Sequence, residues 1–374
     1  MATPPSPRVT ISDVARHAGV SATTVSHALN GRGQVDPGTR LKVEQAAKEL
    51  GYRPNRYAQR LRTGGSNMIA LMSSMPFAVA GGPSRLGFLM EVAAVAASSA
   101  LERGLAMVLV PPLESGKSPL DILDIDGALV IEPSANDPQL AALIAKGLPV
   151  VSIGRPGGNA VDQNTVTGAS SGNHSSSPAV PYVDLLSGAT VQMLLTHLQE
   201  RGARHIAIIL GAADRTSYAQ AEIAYQTMAA SQGMEPIVLR IDESLGEVGG
   251  FDAAQLLLSQ HGQIDAFLVM VDAFAVGVAQ YLRQVGRRIP EDVMIATRYD
   301  GLRARTCEPP LTSVALHLEQ VARIAIDLLF EHLRGDTSRQ TATSPMPDLV
   351  ARRSTERALA ITGDTESTDK QKSV

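Results

Sequence analysis

From position 68 onward, short apolar runs alternate with amphipathic stretches. Nine runs read as strands, at 68–72, 106–110, 127–131, 149–153, 182–185, 206–210, 237–241, 266–271 and 293–297. Their near-continuous apolar character suits strands covered on both faces. Between them, 86–103, 137–146, 188–201, 273–285 and 318–333 carry helical spacing of apolar residues. Such alternation predicts parallel sheets flanked by helices, and this many strands fit two lobes better than one sheet. The fold class expected is α/β.

The first 62 residues follow a different rhythm. Thr10 is placed to cap a helix, with Asp13 as a loose capping box, and Ile11, Val14, Ala15 and Ala18 share one face. Gly19 supplies a turn. Ser21 caps a second helix over 22–29, with Val25, Ala28 and Leu29 inward, and Asn30-Gly31 stops it. Asp36-Pro37 starts a third, whose inward residues are expected to be Leu41, Val43, Ala47 and Leu50 before Gly51 closes it. Two short helices joined through a glycine turn and braced by a third make a helix-turn-helix pattern. In that geometry the second helix enters the major groove. Its outward residues are Ala22, Thr23, Ser26 and His27. Thr and Ser can bond phosphates or base edges, and Ala or a Thr methyl can touch a thymine methyl. A three-helix bundle used only for packing fits the same pattern.

Charge sharpens this reading. Residues 1–62 hold ten Lys and Arg against four Asp and Glu, a net of +6. The whole chain is −4, so the rest carries −10. A basic head on an acidic body suggests a polyanion partner for the head alone. The single cysteine, Cys307, excludes a disulfide framework within the chain and argues against cysteine-based zinc ligation. No apolar run is long enough for a transmembrane helix. Residues 1–7 show neither the basic nor the apolar region of a signal peptide, so a cytoplasmic, nucleoid-associated protein without membrane contact is expected.

The residues then go beyond the general pattern. Positions 9–30, VTISDVARHAGVSATTVSHALN, and 51–62, GYRPNRYAQRLR, closely resemble the DNA-binding head of the LacI/GalR family of bacterial repressors. The body is similar to that family's effector domain, which is like a periplasmic sugar-binding protein. Its landmarks are DGALVI at 126–131, GARHIA at 202–207, VMVDAFAVG at 269–277, YDG at 299–301, PPLTSV at 309–314 and LVARRST at 349–355. The resemblance spans roughly residues 8 to 355. It implies a mobile segment over 1–7, a head over 8–53 and a hinge helix and linker over 54–66. It further implies a two-lobed effector-binding and dimerising body over 67–361. A Gly, Ser, Asn and Thr-rich insertion near 157–178 and a polar tail over 362–374 read as mobile and disordered.

For the head, the resemblance implies DNA contacts from Thr10, Ser21, Ala22, Thr23, Thr24, Ser26, His27, Asn30 and Arg32. From the hinge it implies Asn55, Arg56, Tyr57, Ala58, Leu61 and Arg62. Two hinge helices of a dimer would enter the minor groove, with Leu61 wedged into the central base step. Such a wedge unstacks a step and gains contact by bending the duplex. Arg56, Arg60 and Arg62 around it can neutralise phosphates. Read alone, Leu61 fits better as a core leucine of a fourth head helix, and the whole motif turns the reading toward the wedge. His27 stands where the family commonly has a guanine-reading Arg, which leaves base preference there open.

For the body, the resemblance implies an effector between the lobes, coupled reciprocally to DNA affinity. Asp272 and Asp300 are candidates by motif position, and Asp300 follows a strand end, where ligands of parallel sheets bind. It could equally cap its own turn. Arg155, Asp184, Ser217, Tyr218 and Phe274 complete the candidates, with Tyr225 beside them. Three departures weigh against a sugar. Ala221 stands where sugar-binding members commonly carry Arg, Val271 replaces an Asn, and the chain has no Trp and only 3% aromatic residues. The effector is thus a sugar or another metabolite.

The leading reading is a homodimeric repressor on a near-palindromic operator, its body joined through first-lobe helices such as 86–103. A tetramer stays open, although the tail lacks a leucine heptad run. One rival is a small-molecule receptor with a degenerate head. Another is an α/β enzyme, but no dinucleotide fingerprint, P-loop or His-Glu-x-x-His motif is present. His174, His197, His205 and His261 are scattered. No cofactor, metal or catalytic residue is expected.

Overall fold

A computed structural model describes residues 9–29, 34–52, 65–80, 87–110, 119–157 and 180–357. The chain divides into two compact units, Met1–Ser66 and Asn67–Val374. The expected hinge contacts Asn55, Arg56, Tyr57, Ala58, Leu61 and Arg62 lie outside the described residues, as do Asn30 and Arg32. So do nearly all of the 157–178 insertion, the 362–374 tail and positions 1–7.

The first unit contains α1 (Ile11–Ala18), α2 (Ala22–Leu29) and α3 (Pro37–Glu49). Its helix ends are set by local chemistry. The Asp13 backbone N–H donates to Thr10 Oγ1, and Asp13 Oδ2 accepts from the Thr10 backbone at 2.9 Å, a reciprocal capping box. Gly19, with φ 67°, turns the chain out of α1. The Thr24 backbone donates to Ser21 Oγ at 3.0 Å at the start of α2. Asp36 caps α3 through the N–H groups of Gly38 and Thr39, with Pro37 in its first turn. Val14, Ala15, Val25, Ala28, Val43, Ala46 and Ala47 form the core of this unit.

One expectation fails here. Leu41 is 67% exposed, not inward. Val43, Ala46, Ala47 and Leu50 recur at helical spacing on the face toward α1 and α2. Leu41, two positions before Val43, is rotated by about 200° to the opposite side.

In the second unit, β1 (Met68–Ser73), β2 (Ala106–Val110), β3 (Gly127–Ile131), β4 (Val150–Ile153) and β5 (Tyr182–Asp184) belong to a six-stranded parallel sheet completed by β11 (Thr341–Thr343). Its order is β11-β5-β4-β3-β1-β2. A second parallel sheet has the order β7-β6-β8-β9, from β6 (Ile206–Gly211), β7 (Ile237–Ile241), β8 (Ala266–Val269) and β9 (Met294–Thr297). All nine predicted strands are present. In the first sheet, Ile69, Leu71, Leu129 and Ile131 enter one core cluster. Their neighbours Ala70, Met72, Ala128 and Val130 enter another. Burial on both faces explains why these strands read as unbroken apolar runs.

The helices that follow are α4 (Phe77–Ala80), α5 (Phe88–Glu102), α6 (Pro138–Ala145), α7 (Ser187–Glu200), α8 (Thr216–Ser231), α9 (Gly246–Gln260), α10 (Asp272–Gln284), α11 (Leu302–Thr306) and α12 (Leu318–Leu333). Several elements escaped the pattern of the sequence, among them α4, α9, α11 and the short strands β10 (Ser313–Ala315), β11 and β12 (Asp348–Val350). The helix over 246–260 opens with glycines, which disfavour helices. Packing overrides that preference: a Cβ on Gly250 would lie 2.0 Å from the Phe274 carbonyl oxygen, so α9 and α10 meet backbone to backbone. The antiparallel pair β10 and β12 is too short for periodicity to show. Strands β10, β11 and β12 lie on the segments by which the chain passes back and forth between its two sheets.

Candidate nucleic-acid interface and interlobe cleft

In the first unit, packing uses one side of α2 and leaves the other open. Val25 and Ala28 are buried. Ser21, Ala22, Thr23 and His27 are exposed, and Thr24 and Ser26 half-buried. The open side therefore carries small hydroxyls, a methyl and an imidazole. These groups can approach base edges closely and bond either donors or acceptors. Thr24 Oγ1 lies 2.8 Å from Ser21 Oγ and is partly committed to the turn. Thr10 is exposed but engaged in its capping box. The basic side chains described in this unit include Arg16, paired loosely with Asp13 at 3.4 Å, and the exposed Lys42 and Lys48. His17 is held by Glu49 at 2.9 Å.

In the second unit, the two sheets face each other across a cleft crossed by buried charges. Glu132 follows β3 of the first lobe. Its carboxylate receives both terminal guanidinium nitrogens of Arg298, which follows β9 of the second lobe, at 3.0 and 2.6 Å. Ser217, in the first turn of α8, donates to the same carboxylate at 3.0 Å. Arg215, just before α8, donates to the Glu132 backbone carbonyl and, at 3.0 Å, to the Ser74 carbonyl. Its remaining hydrogen bonds go to Glu243, at 2.9 Å from Nε and 2.9 Å from Nη2. Tyr218 Oη donates to Glu243 at 2.7 Å.

Two arginines and two glutamates thus neutralise one another, all nearly inaccessible to solvent. Burial alone would raise the Glu132 carboxyl. The charge and hydrogen bonds of Arg298, then Arg215 and Ser217, outweigh it and hold the group below its usual range. Glu132 is left-handed, with φ 46°, a conformation that costs a non-glycine residue about 1–2 kcal/mol. Gly211, at the end of β6, makes room for the network. A Cβ there would lie 2.5 Å from the Tyr218 ring and 2.7 Å from the Glu243 carboxylate.

A second bridge lies beside the first. Arg303 of α11 donates to the carbonyls of Ala78 and Val79 in α4 at 3.1 and 3.0 Å. It also approaches Asp272 at 3.5 Å. Between the bridges is a chamber of about 70 Å³. Glu132, Asp272, Arg298 and Tyr299 contribute its main polar groups, and the rest of its wall is largely Met, Val, Leu, Ile and Phe.

The expected effector residues separate into three groups. Asp272 lines the chamber. Arg155, Asp184 and Ser217 line a smaller pocket on the other side of Glu132, where Arg155 pairs with Asp184 at 3.6 Å and stacks over Tyr182. Tyr218, Phe274 and Asp300 line neither. Tyr218 is consumed by Glu243, and Tyr225 bonds the Ile206 carbonyl. Phe274 is fully buried in the core. Asp300 accepts from Ser313 at 2.7 Å and from Arg305 and Arg352, so it ties β10 and the final crossover to the second lobe.

Sequence reasoning missed Glu132, Arg215, Glu243, Arg298 and Arg303. A signal existed for two of them. Glu132 and Arg298 are charged residues directly after predicted strands, at the carboxyl ends where parallel sheets build their sites. Of the histidines, His197 is buried against Thr355 at 2.7 Å. Among the described residues, no group of three or more His, Cys, Asp or Glu is placed to hold a metal ion. None of the described helices is long and apolar enough to cross a membrane.

Comparison with known proteins brings the two units together. Residues 10–55 match the family described as bacterial regulatory proteins, lacI family, and residues 195–355 match the periplasmic binding protein-like domain. The transcriptional regulator CelR of Thermobifida fusca is 32% identical over 88% of this chain and 94% of its own. The ribose operon repressor of Escherichia coli K12 is 28% identical over 92% of this chain and 98% of its own. Among solved structures, a CelR–cellobiose complex has a TM-score of 0.62 at 28% identity, covering 93% of this chain and all of the other. The lac repressor dimer bound to operator shares the fold, with a TM-score of 0.73 at 24% identity over 93% and 99% of the two chains. A helix-turn-helix head, a two-lobed body of parallel sheets and relatives spanning nearly its whole length place one conclusion on this chain: it belongs to the lacI family of bacterial regulatory proteins and is a DNA-binding transcriptional regulator.

Proposed function

We propose that this regulator is a repressor that reads a near-palindromic operator as a homodimer in the cytoplasm, under control of a small molecule bound between its lobes. The observation that carries the reading is the division of α2. Its apolar side is spent inside the head, while its open side presents Ala22, Thr23 and His27, with Ser26 at its edge. A helix of a packing-only bundle has no need of so small and polar an outer face.

In this reading Ser21, Ala22, Thr23, Ser26 and His27 enter the major groove, and Thr10, Thr24, Asn30 and Arg32 meet the flanking backbone. Asn55, Arg56, Tyr57, Ala58, Leu61 and Arg62 serve the minor groove from a hinge over 54–66. A body over 67–361 supplies the dimer contact. Asp272, with Arg155, Asp184 and Ser217, reports on the effector. Two relatives are named for cellobiose binding and for the ribose operon. A sugar is therefore one effector class to test beside other metabolites.

The test is selection of bound sequences from random duplex DNA at one stated salt concentration. A two-fold symmetric enriched site is expected, mirroring a two-fold dimer. Sequence-blind binding would instead favour the receptor with a degenerate head. With the operator in hand, Leu61→Ala should leave folding intact and weaken operator binding more than binding to random DNA. Arg56→Ala should weaken both alike and lower the salt slope by about 1.

A further inference from the structure

The polar groups at the centre of the cleft are already spent on one another. Arg298 spends Nη1 and Nη2 on Glu132. Arg215 spends all three of its nitrogens on Glu243, Glu132 and Ser74. Glu132 spends both carboxylate oxygens, and Arg303 both terminal nitrogens. What faces the chamber is chiefly Met75, Val79, Phe88, Ile131, Val271 and Leu316.

A sugar carries a hydroxyl on nearly every carbon, and each one buried without a partner weakens binding. This chamber offers too few free partners for a sugar's hydroxyls. Three free positions remain. Both hydrogen-bonding partners of Asp272, the Ala273 N–H at 2.8 Å and Arg303 at 3.5 Å, use Oδ1, which leaves Oδ2. The Nε–H of Arg298 and the Oη of Tyr299 are buried without a hydrogen-bond partner. The volume, about 70 Å³, is below the roughly 150 Å³ of an engineered apolar cavity that accepts benzene. A compact occupant is thus favoured, and a single ring is seated only when the lobes widen enough to roughly double that volume.

Resting on the reading of this cleft as the effector site, we infer that the effector is a compact, mostly apolar molecule of about one ring rather than a sugar. Its single polar group is a hydroxyl or amine that donates to Asp272. The apolar body fills the space between Met75, Val79 and Phe88 of the first lobe and Val271 and Leu316 beside them. Such a ligand adds contacts to both lobes without displacing the Glu132–Arg298 pair.

The full chain is titrated by calorimetry with benzyl alcohol, toluene, cellobiose and ribose, and the operator affinity is measured beside each. Benzyl alcohol and toluene are expected to bind, and the two sugars not. Val79→Phe fills the chamber at a half-buried position and should abolish both. Asp272→Asn should weaken benzyl alcohol about tenfold, the loss of one charge-assisted hydrogen bond, and leave toluene unchanged. Circular dichroism and the unfolding temperature establish that each variant folds. Should Val79→Phe fail to fold, Met75→Phe fills the same space from the other side. Binding of either sugar with no apolar probe bound would overturn the inferred class while leaving an effector cleft. Binding by none of the four would make the chamber a packing void. Operator binding is read independently in both cases, so failure of this inference and failure of the regulator reading are separate results.

Discussion

The open face of α2 and the cleft of the body solve opposite problems with polar residues. On α2, Thr23 and His27 are exposed and reach outward from an apolar core built by their neighbours. In the cleft, Glu132, Arg215, Glu243 and Arg298 are as polar as any surface, yet they face one another in near-complete burial. The head leaves its chemistry open for a partner. The cleft closes on chemistry it supplies itself. An interlobe site therefore need not be polar toward its ligand merely because it is rich in charged residues. What matters is how many of their hydrogen bonds remain to be made.

The largest expected effect comes from breaking the cleft's self-sufficiency. Arg298→Met leaves Glu132 buried with one partner fewer, and losing one side of a buried pair costs about 3–5 kcal/mol. Denaturant unfolding should show this loss, and Glu132→Leu combined with Arg298→Met should recover much of it. If the two single losses simply add, the pair is not coupled. Acid acts on the same bond. The folded state holds Glu132 below its ordinary value of 4.5, so its contribution is complete above that pH. It is lost as pH falls through the lowered value, because the protonated form gives up the Arg298 pair. A stability profile that is flat through the acid range contradicts this.

The next effects fall on the head. Thr23→Val or His27→Ala should cost operator binding about 1–3 kcal/mol per lost base contact and relax preference at the base pair concerned. Binding to random DNA should change little. A uniform loss would instead make these residues backbone contacts. The smallest effect is local. Thr10→Ala removes half of the capping box and should lower head stability by about 1 kcal/mol, read from the unfolding of the head.

The contrast also explains what the sequence disclosed. Helix ends in the head rest on residues two or three positions apart, such as Thr10 with Asp13 and Asp36 with Thr39. Nine strands were legible because burial on both faces leaves unbroken apolar runs. Leu41 was misplaced because apolar character does not by itself give helical phase. The cleft was mostly illegible. Glu132 meets Arg298 across 166 positions and Arg215 meets Ser74 across 141, spacings that no periodicity encodes. Asp272 was found by motif position and does line the chamber. Phe274, two residues on, turns into the core, because the helix that starts at Asp272 carries it to the buried side.

The central claim is that the lobes close on their own charges. The direct measurement is the distance distribution between spin labels on the full chain, one at the exposed Ala145 of the first lobe and one at the exposed Glu235 of the second. At neutral pH and without ligand, a single narrow distribution is expected, broadening and lengthening in Arg298→Met. A broad distribution in the unmodified chain, or a narrow one that the substitution leaves unmoved, would contradict it.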